Sequence, residues 1–215
     1  MSKRPGYHEP VLNARVISIR ATSAKDKVDV LLSNGKSRSY AHVITTTTLP
    51  CLRTMDLSGA ALNYRQKAAL RSLQYGSATK IGVKFKSAWW QNDALMRRYG
   101  AFGAIIGGQS YTDYMSRMVV YPSYGVDTDT PSTVLIASYS WTKDALAWTG
   151  LMGGDADAKH AIKRIILQDL VAVHRFNAEG AAFLEDQWVD MFPHSWVTDP
   201  NTMGKCFLTL NATRH

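Results

Sequence analysis

Ile81, Val83 and Phe85 alternate with Lys80, Gly82, Lys84 and Lys86. This two-residue period constrains the fold most, because it fits a strand with one buried face. Gly76 and Thr79 break the pattern just ahead of it, so Lys80 is expected at the strand's start, on its polar side. The strand leads into the pair Trp89-Trp90. Two readings of its lysines compete. One is a solvated edge strand whose charges discourage pairing with other chains. The other is a lysine held in a site by neighbours that the segment itself does not reveal.

Further strand signals surround it. Val134-Leu-Ile-Ala-Ser-Tyr-Ser-Trp141 is apolar on both faces, as a strand inside a sheet would be. Val11 to Ile19 and Val28 to Leu32 carry β-branched residues, and Asn34-Gly35 is a hairpin turn signal. Tyr40 to Thr48 reads as a third strand stopped by Leu49-Pro50, and Met118 to Pro122 and Phe183 to Val189 as shorter ones. Asn63 and Gln66 have the spacing of a capping box, with Leu62, Ala69, Leu70 and Leu73 on the apolar side of the helix they open. Asp157 to His174 is the clearest helix, with Ile162, Ile165, Ile166, Leu170 and Val173 on one side. Gly150 to Gly154 reads as a loop before it, 126–132 as a polar turn, and His194 to Gly204 as loop-like. Strands that come both in a run and between helices predict an α+β (mixed α/β) fold, a mixed sheet flanked by helices.

Composition excludes several classes. With 215 residues, 46% hydrophobic and 20% charged, the chain can bury a core as one domain or as parts of two. The net charge of +8 raises the question of nucleic acid. The basic residues are scattered without a run, and a solubilising surface explains them equally well, so no nucleic-acid partner is expected. No apolar stretch approaches the roughly 18 residues of a membrane span. Met1 to Pro10 lacks the apolar region of a secretory signal, and localisation stays open. Cys51 and Cys206 stand far apart and no Cys/His cluster appears, so neither a disulfide framework nor a metal is expected. There is no GxGxxG, phosphate loop, HExxH or GxSxG. The six histidines read as surface or satisfied core residues. The residues alone assign no catalytic group.

Taken in order, Ala14 to Ile19, Asn34-Gly35, His42 to Pro50, Gly76 to Lys80 with Trp89-Trp90, Tyr111 to Arg117, Val120 to Pro122, Leu135 to Ala145 and Trp196 to Gly204 carry a resemblance. Together they resemble the later half of FAD-dependent L-amino-acid oxidases, within the flavin-containing amine oxidase family. The resemblance implies a partial FAD-binding domain over 1–74 (a β-meander and helix), a substrate-binding domain over 75–204 and a divergent tail over 205–215. It also implies FAD as cofactor and a small-molecule amino acid or amine as substrate. Val16 matches the residue whose backbone meets the flavin adenine, and Lys80 the lysine linked to flavin N5 through a water. Tyr139 matches the tyrosine that holds the substrate carboxylate, and Trp196 a tryptophan lining the pocket. The bland counterparts are a strand valine, a core tyrosine with a satisfied hydroxyl, and generic packing.

The implied chemistry is oxidative deamination of L-amino acids to a 2-oxo acid, ammonia and hydrogen peroxide. Monoamine or polyamine oxidation and a non-catalytic fragment or interaction module are the alternatives. The family's GxGxxG unit and its carboxylate-binding arginine have no counterpart in these residues. A separate FAD-domain half or a second copy is therefore a conceivable partner, and weak FAD binding and inactivity of the isolated chain are expected. Exposed apolar patches are expected around the 14–50 meander.

Overall fold

The computed structural model describes residues 8–205 apart from 25, 124, 126, 127, 129 and 130. Cys206 and the tail after it, most of the expected turn at 126–132 and the first seven residues lie outside the described residues. The chain divides into one unit through Tyr75 and another from Gly76.

In the first unit β1 (Val16–Ala21), β2 (Val28–Leu32) and β3 (Ser37–Tyr40) form an antiparallel meander in that order. Gly35 makes the β2–β3 turn with φ of 80°, which a glycine adopts without strain. The hairpin register then sets where β3 ends. Tyr40 already stands opposite Val28, the first residue of β2, so nothing remains to pair with residues 41–48. The strand expected over 40–48 is therefore four residues long and ends at Tyr40. α1 (Leu49–Arg53) starts where the Thr48 hydroxyl accepts the Cys51 N–H. α2 (Tyr64–Ser72) has the full capping box, with the Asn63 and Gln66 side chains each accepting the other's backbone N–H at 2.9 Å. The Arg53 guanidinium donates to the carbonyls of Leu70 and Leu73, tying the two helices. Ile17, Tyr40 and Ile44 stand exposed along the meander.

The second unit is built on β4 (Ala78–Phe85), β5 (Gln109–Tyr111), β6 (Met118–Val120), β7 (Val134–Trp141) and β8 (Trp188–Ser195). Their order is β5-β6-β7-β4-β8. Every pairing is antiparallel where the sequence suggested a mixed sheet, because β8 returns beside β4 and not beside β7. β4 therefore lies inside the sheet, which overturns the edge-strand reading of its lysines. It begins at Ala78, two residues before Lys80.

The helices are α3 (Asp93–Arg98), α4 (Thr142–Met152), α5 (Ala156–His174) and α6 (Ala178–Gln187). α4 takes in Gly150 to Met152, and only Gly153-Gly154 separates it from α5, whose N-cap is Asp155. The strand expected at Phe183 to Val189 is mostly α6. The Asn177 side chain caps that helix by accepting the Gly180 N–H at 2.9 Å. Gly180 lets it sit close, since a Cβ there would come within 2.8 Å of the Tyr99 Cβ. β8 continues through His194, and Pro193, which lacks an N–H, is tolerated because the strand lies at the sheet's edge.

One face of the sheet is packed. Ile81, Val83, Phe85, Leu135 and Ala137 share a buried cluster with Trp89, Trp90, Trp148, Ile162, Ile166 and Leu170. Its rings meet edge to face, Phe85 to Trp89 at 5.6 Å and Trp89 to Trp90 at 5.5 Å between centroids. Two small networks pair polar groups within this interior, while the buried Trp89 and Trp90 indole N–H groups have no partner among the described residues. Asp169 accepts from the Ser116 N–H at 2.9 Å and its hydroxyl at 2.6 Å. His174 donates from Nδ1 to the Leu170 carbonyl, which fixes the tautomer so that Nε2 accepts from the Tyr121 hydroxyl at 2.7 Å. Burial holds His174 below the ordinary histidine value and pushes the Tyr121 phenol up to about 12.

β7 carries a bulge. Ile81 stands opposite Ser138 but Gly82 opposite Ile136, so Ala137 is an extra residue. Ala137 and Ser138 are consecutive and both fully buried, whereas Ile136 and Tyr139 on either side are half-buried.

Candidate active site

The other face of the sheet collects the site. Across β7, β4 and β8, Tyr139, Lys80 and His194 stand in one register row. All three are half-buried. The Lys80 ammonium lies 4.6 Å from the Tyr139 ring centroid and 5.4 Å from that of Trp196, within cation–π range of both. Trp196 is held at the end of β8 by its own N–H, which donates to the Ala78 carbonyl at 3.1 Å. The segment after it folds back, with the Gly204 N–H (2.6 Å) and the Thr202 hydroxyl (2.8 Å) both donating to the Trp196 carbonyl. Lys80, Tyr139 and Trp196, singled out from the sequence, are thus brought together in the second unit. Val16 belongs to the first unit, where it is half-buried on β1 opposite Leu32, next to a slip in register.

Three further residues join the cluster. Trp141, two positions after Tyr139 on β7, packs against it with ring centroids 4.4 Å apart and planes tilted by 48°, and its buried indole N–H has no hydrogen-bond partner among the described residues. His194 packs 4.8 Å from Trp196, with Nε2 3.9 Å from an Asp199 oxygen. Lys205, which the sequence set apart with the tail, is anchored by its N–H to the Gly76 carbonyl at 2.9 Å. Its ammonium donates to the Tyr139 hydroxyl and lies 4.5 Å from that ring's centroid and 5.2 Å from the Trp141 ring. Burial, and after it the charge of Lys80, holds Lys205 below the ordinary lysine range. Strand alternation could have revealed Trp141, and a longer β8 His194. No local signal marks Lys205.

Chemically, the face offers two ammonium groups, a phenol and indole walls. No group of three or more His, Cys, Asp or Glu side chains that could hold a metal occurs among the described residues. Such a face suits an electron-rich planar group or an anion.

Residues 7–213 match the family of flavin containing amine oxidoreductases, and the chain belongs to it. Among its relatives, L-amino-acid oxidase 4 of Hebeloma cylindrosporum is 42% identical over 94% of this chain and 32% of its own length. The L-amino-acid oxidase of Siganus canaliculatus is 33% identical over 90% of this chain and 33% of its own. The chain thus spans about a third of the length of these relatives. Of solved structures, cyclohexylamine oxidase from Brevibacterium oxydans superposes with a TM-score of 0.64 at 13% identity, covering 90% of this chain and 36% of that one. Putrescine oxidase bound to putrescine gives 0.63 at 16% identity, covering 91% and 37%. At such identities the likeness concerns the fold, which is that of the flavin-dependent amine oxidases.

Proposed function

We propose that the chain supplies the substrate-binding side of an FAD-dependent oxidase that deaminates L-amino acids to a 2-oxo acid, ammonia and hydrogen peroxide. One observation carries this reading. Lys80 is held half-buried between the Tyr139 and Trp196 rings, and among the described residues no carboxylate lies within ion-pair distance of it. A cation so placed can favour negative charge developing beside it, and in this respect the residues present fit a flavin. Bound flavin would supply the acceptor for the hydride leaving the substrate's Cα. The side chains do the rest. Lys80 holds a water or steadies charge, the Tyr139 hydroxyl donates to the substrate carboxylate, and Trp196 and Trp141 exclude water so that both interactions strengthen. By the family resemblance, Val16 would meet the adenine of a bound flavin through its backbone.

The relatives named L-amino-acid oxidase favour amino acids as the substrate class. Amine oxidation is the second reading, favoured by the solved amine oxidases that share the fold. These 215 residues contain no GxGxxG turn to bring a helix N-terminus to the FAD pyrophosphate. The chain alone is therefore expected to bind FAD weakly and to release little peroxide.

The test is to graft residues 10–204 in frame into the Hebeloma cylindrosporum L-amino-acid oxidase 4 in place of its matching segment, then assay peroxide from L-amino acids and from amines. The reading expects flavin-loaded chimera, turnover of L-amino acids, and loss of that turnover in Lys80→Met. A flavin-loaded chimera that oxidises only amines sinks it.

A further inference from the structure

We propose that Gly82 opens an apolar slot beside Lys80, and that this slot takes the substrate's side chain and favours aromatic side chains over small ones. The occupant's identity rests on the oxidase reading above; the slot does not.

Gly82 is out of place in the middle of β4. A strand glycine loses more chain entropy than any other residue and packs nothing, so its presence needs a reason. Three ordinary reasons fail. Its φ is not positive, so the backbone does not demand glycine. No neighbour among the described residues excludes a side chain, because a Cβ built there would meet only the Phe192 carbonyl oxygen, at an ordinary 3.9 Å. The extra residue of the nearby bulge is Ala137, which lies on β7 and not on β4. What remains is room above the backbone for something that approaches it closely.

That room has apolar walls and two ends. Ile136 and Phe192 flank Gly82 in one register row. Ile136 is half-buried, and Phe192 is 73% exposed, its ring parallel to that of His194 with centroids 6.3 Å apart. The site row Tyr139–Lys80–His194 lies two residues back along β4. At roughly 7 Å, this step is about the reach of a leucine or phenylalanine side chain from its Cα. On the far side the row Val134–Lys84–Asp190 is exposed and carries charges, which ends the apolar stretch. In the opposite direction Ala78 is fully buried, and the returning chain closes that end through the bonds of Trp196 to Ala78 and of Lys205 to Gly76. A substrate reacting beside Lys80 is therefore offered one apolar direction within this unit, over Gly82. A phenyl ring laid there removes its own surface and that of both walls from water, and can meet Phe192 edge to face. A methyl group reaches neither wall.

The test uses the 215-residue chain without flavin, with the Ile136 methyl and the Gly82 amide followed by NMR. L-Phenylalanine and 2-phenylethylamine should both move these two signals, and L-alanine should not. Gly82→Val should stay folded by circular dichroism, with a melting temperature no lower than that of the wild type, because valine suits a strand and finds open space. It should weaken both ring-bearing compounds by about tenfold or more. In the chimera described above, the same substitution should lower the ratio of kcat/KM for L-phenylalanine to that for L-alanine by about tenfold or more, with flavin retained. Ring-bearing compounds that leave the two signals unmoved overturn the slot, as do L-alanine moving them equally or an unchanged affinity in Gly82→Val. A Gly82→Val chain that unfolds also overturns it, because the glycine would then serve packing. So does flavin lost from the Gly82→Val chimera, because the space would then belong to the cofactor. Since 2-phenylethylamine has no carboxyl group, a chimera that oxidises only amines sinks the amino-acid reading and leaves the slot standing.

Discussion

The two faces of the five-stranded sheet are made by the same strands and do opposite things. On one face Ile81, Val83, Phe85 and Leu135 vanish under α5 and a cage of tryptophans. On the other, Lys80, Gly82, Ile136, Tyr139 and His194 are half-buried, while Lys84 and Phe192 are exposed. Aromatic residues occur on both, but their neighbours differ. The packed face surrounds its rings with aliphatic groups and other rings, whereas the open face surrounds them with ammonium groups. Hydrophobicity alone therefore does not tell core from site here. The polar partners of the aromatic side chains do.

The comparison can be broken most easily on the packed side. Trp90→Ala should cost about 3–5 kcal/mol of stability, read from chemical denaturation, because the ring is fully buried and its cavity cannot close. A loss below about 1 kcal/mol would show that the face is not the core it looks like. Next in size, Asp169→Ala should cost about 1–3 kcal/mol by stranding the buried Ser116 N–H and hydroxyl. A smaller effect comes from His174. Burial keeps its folded value below the ordinary 6.5, so as pH falls the unfolded chain takes the proton first. Its contribution to stability is complete above 6.5 and lost as pH drops from there toward the folded value. Melting temperature against pH should show that slope in the wild type and a flatter one in His174→Gln. On the open face, Lys84→Gln should change stability by no more than about 0.5 kcal/mol, since the residue is exposed. A large loss there would mean that the open face also serves folding.

How much of this was legible in the sequence depends on how local the signal is. Alternation marks β4 and the side on which Lys80 lies, a run apolar on both faces marks β7, and the Asn63–Gln66 spacing marks the cap of α2, because these are near-neighbour effects. α4 was missed for a physical reason. It opens at Trp141 without a side-chain cap, and its first residue, Thr142, has φ of 53°. No Ser, Asp or Asn announced it. Phe183-Leu184 reads as strand because a short apolar run has no decisive period, and the Asn177 cap and the close packing of Gly180 make it helix. At the site, Lys80, Tyr139 and Trp196 come through resemblance to a family; a register row brings Lys80 and Tyr139 together, and the Trp196 N–H bond to the Ala78 carbonyl sets Trp196 just past the end of β8. Lys205 was invisible because its partner is 66 positions away and the contact exists only once the chain has turned back at Gly204.

The extra residue at Ala137 bears on which genetic changes this segment can survive. With it, Ile136 and Tyr139 share a face although three positions separate them, an odd spacing that an unbroken strand would send to opposite sides. Deleting Ala137 would leave the strand's composition almost unchanged, yet every residue on one side of the gap would trade faces relative to the other. Either Tyr139 would turn toward the tryptophan cage or Leu135 would turn out to water. Point substitutions along β7 can be absorbed one side chain at a time. A single-codon deletion there is expected to be far more damaging than its size suggests, so length variation between related chains should fall in the loops that flank this strand and not within it.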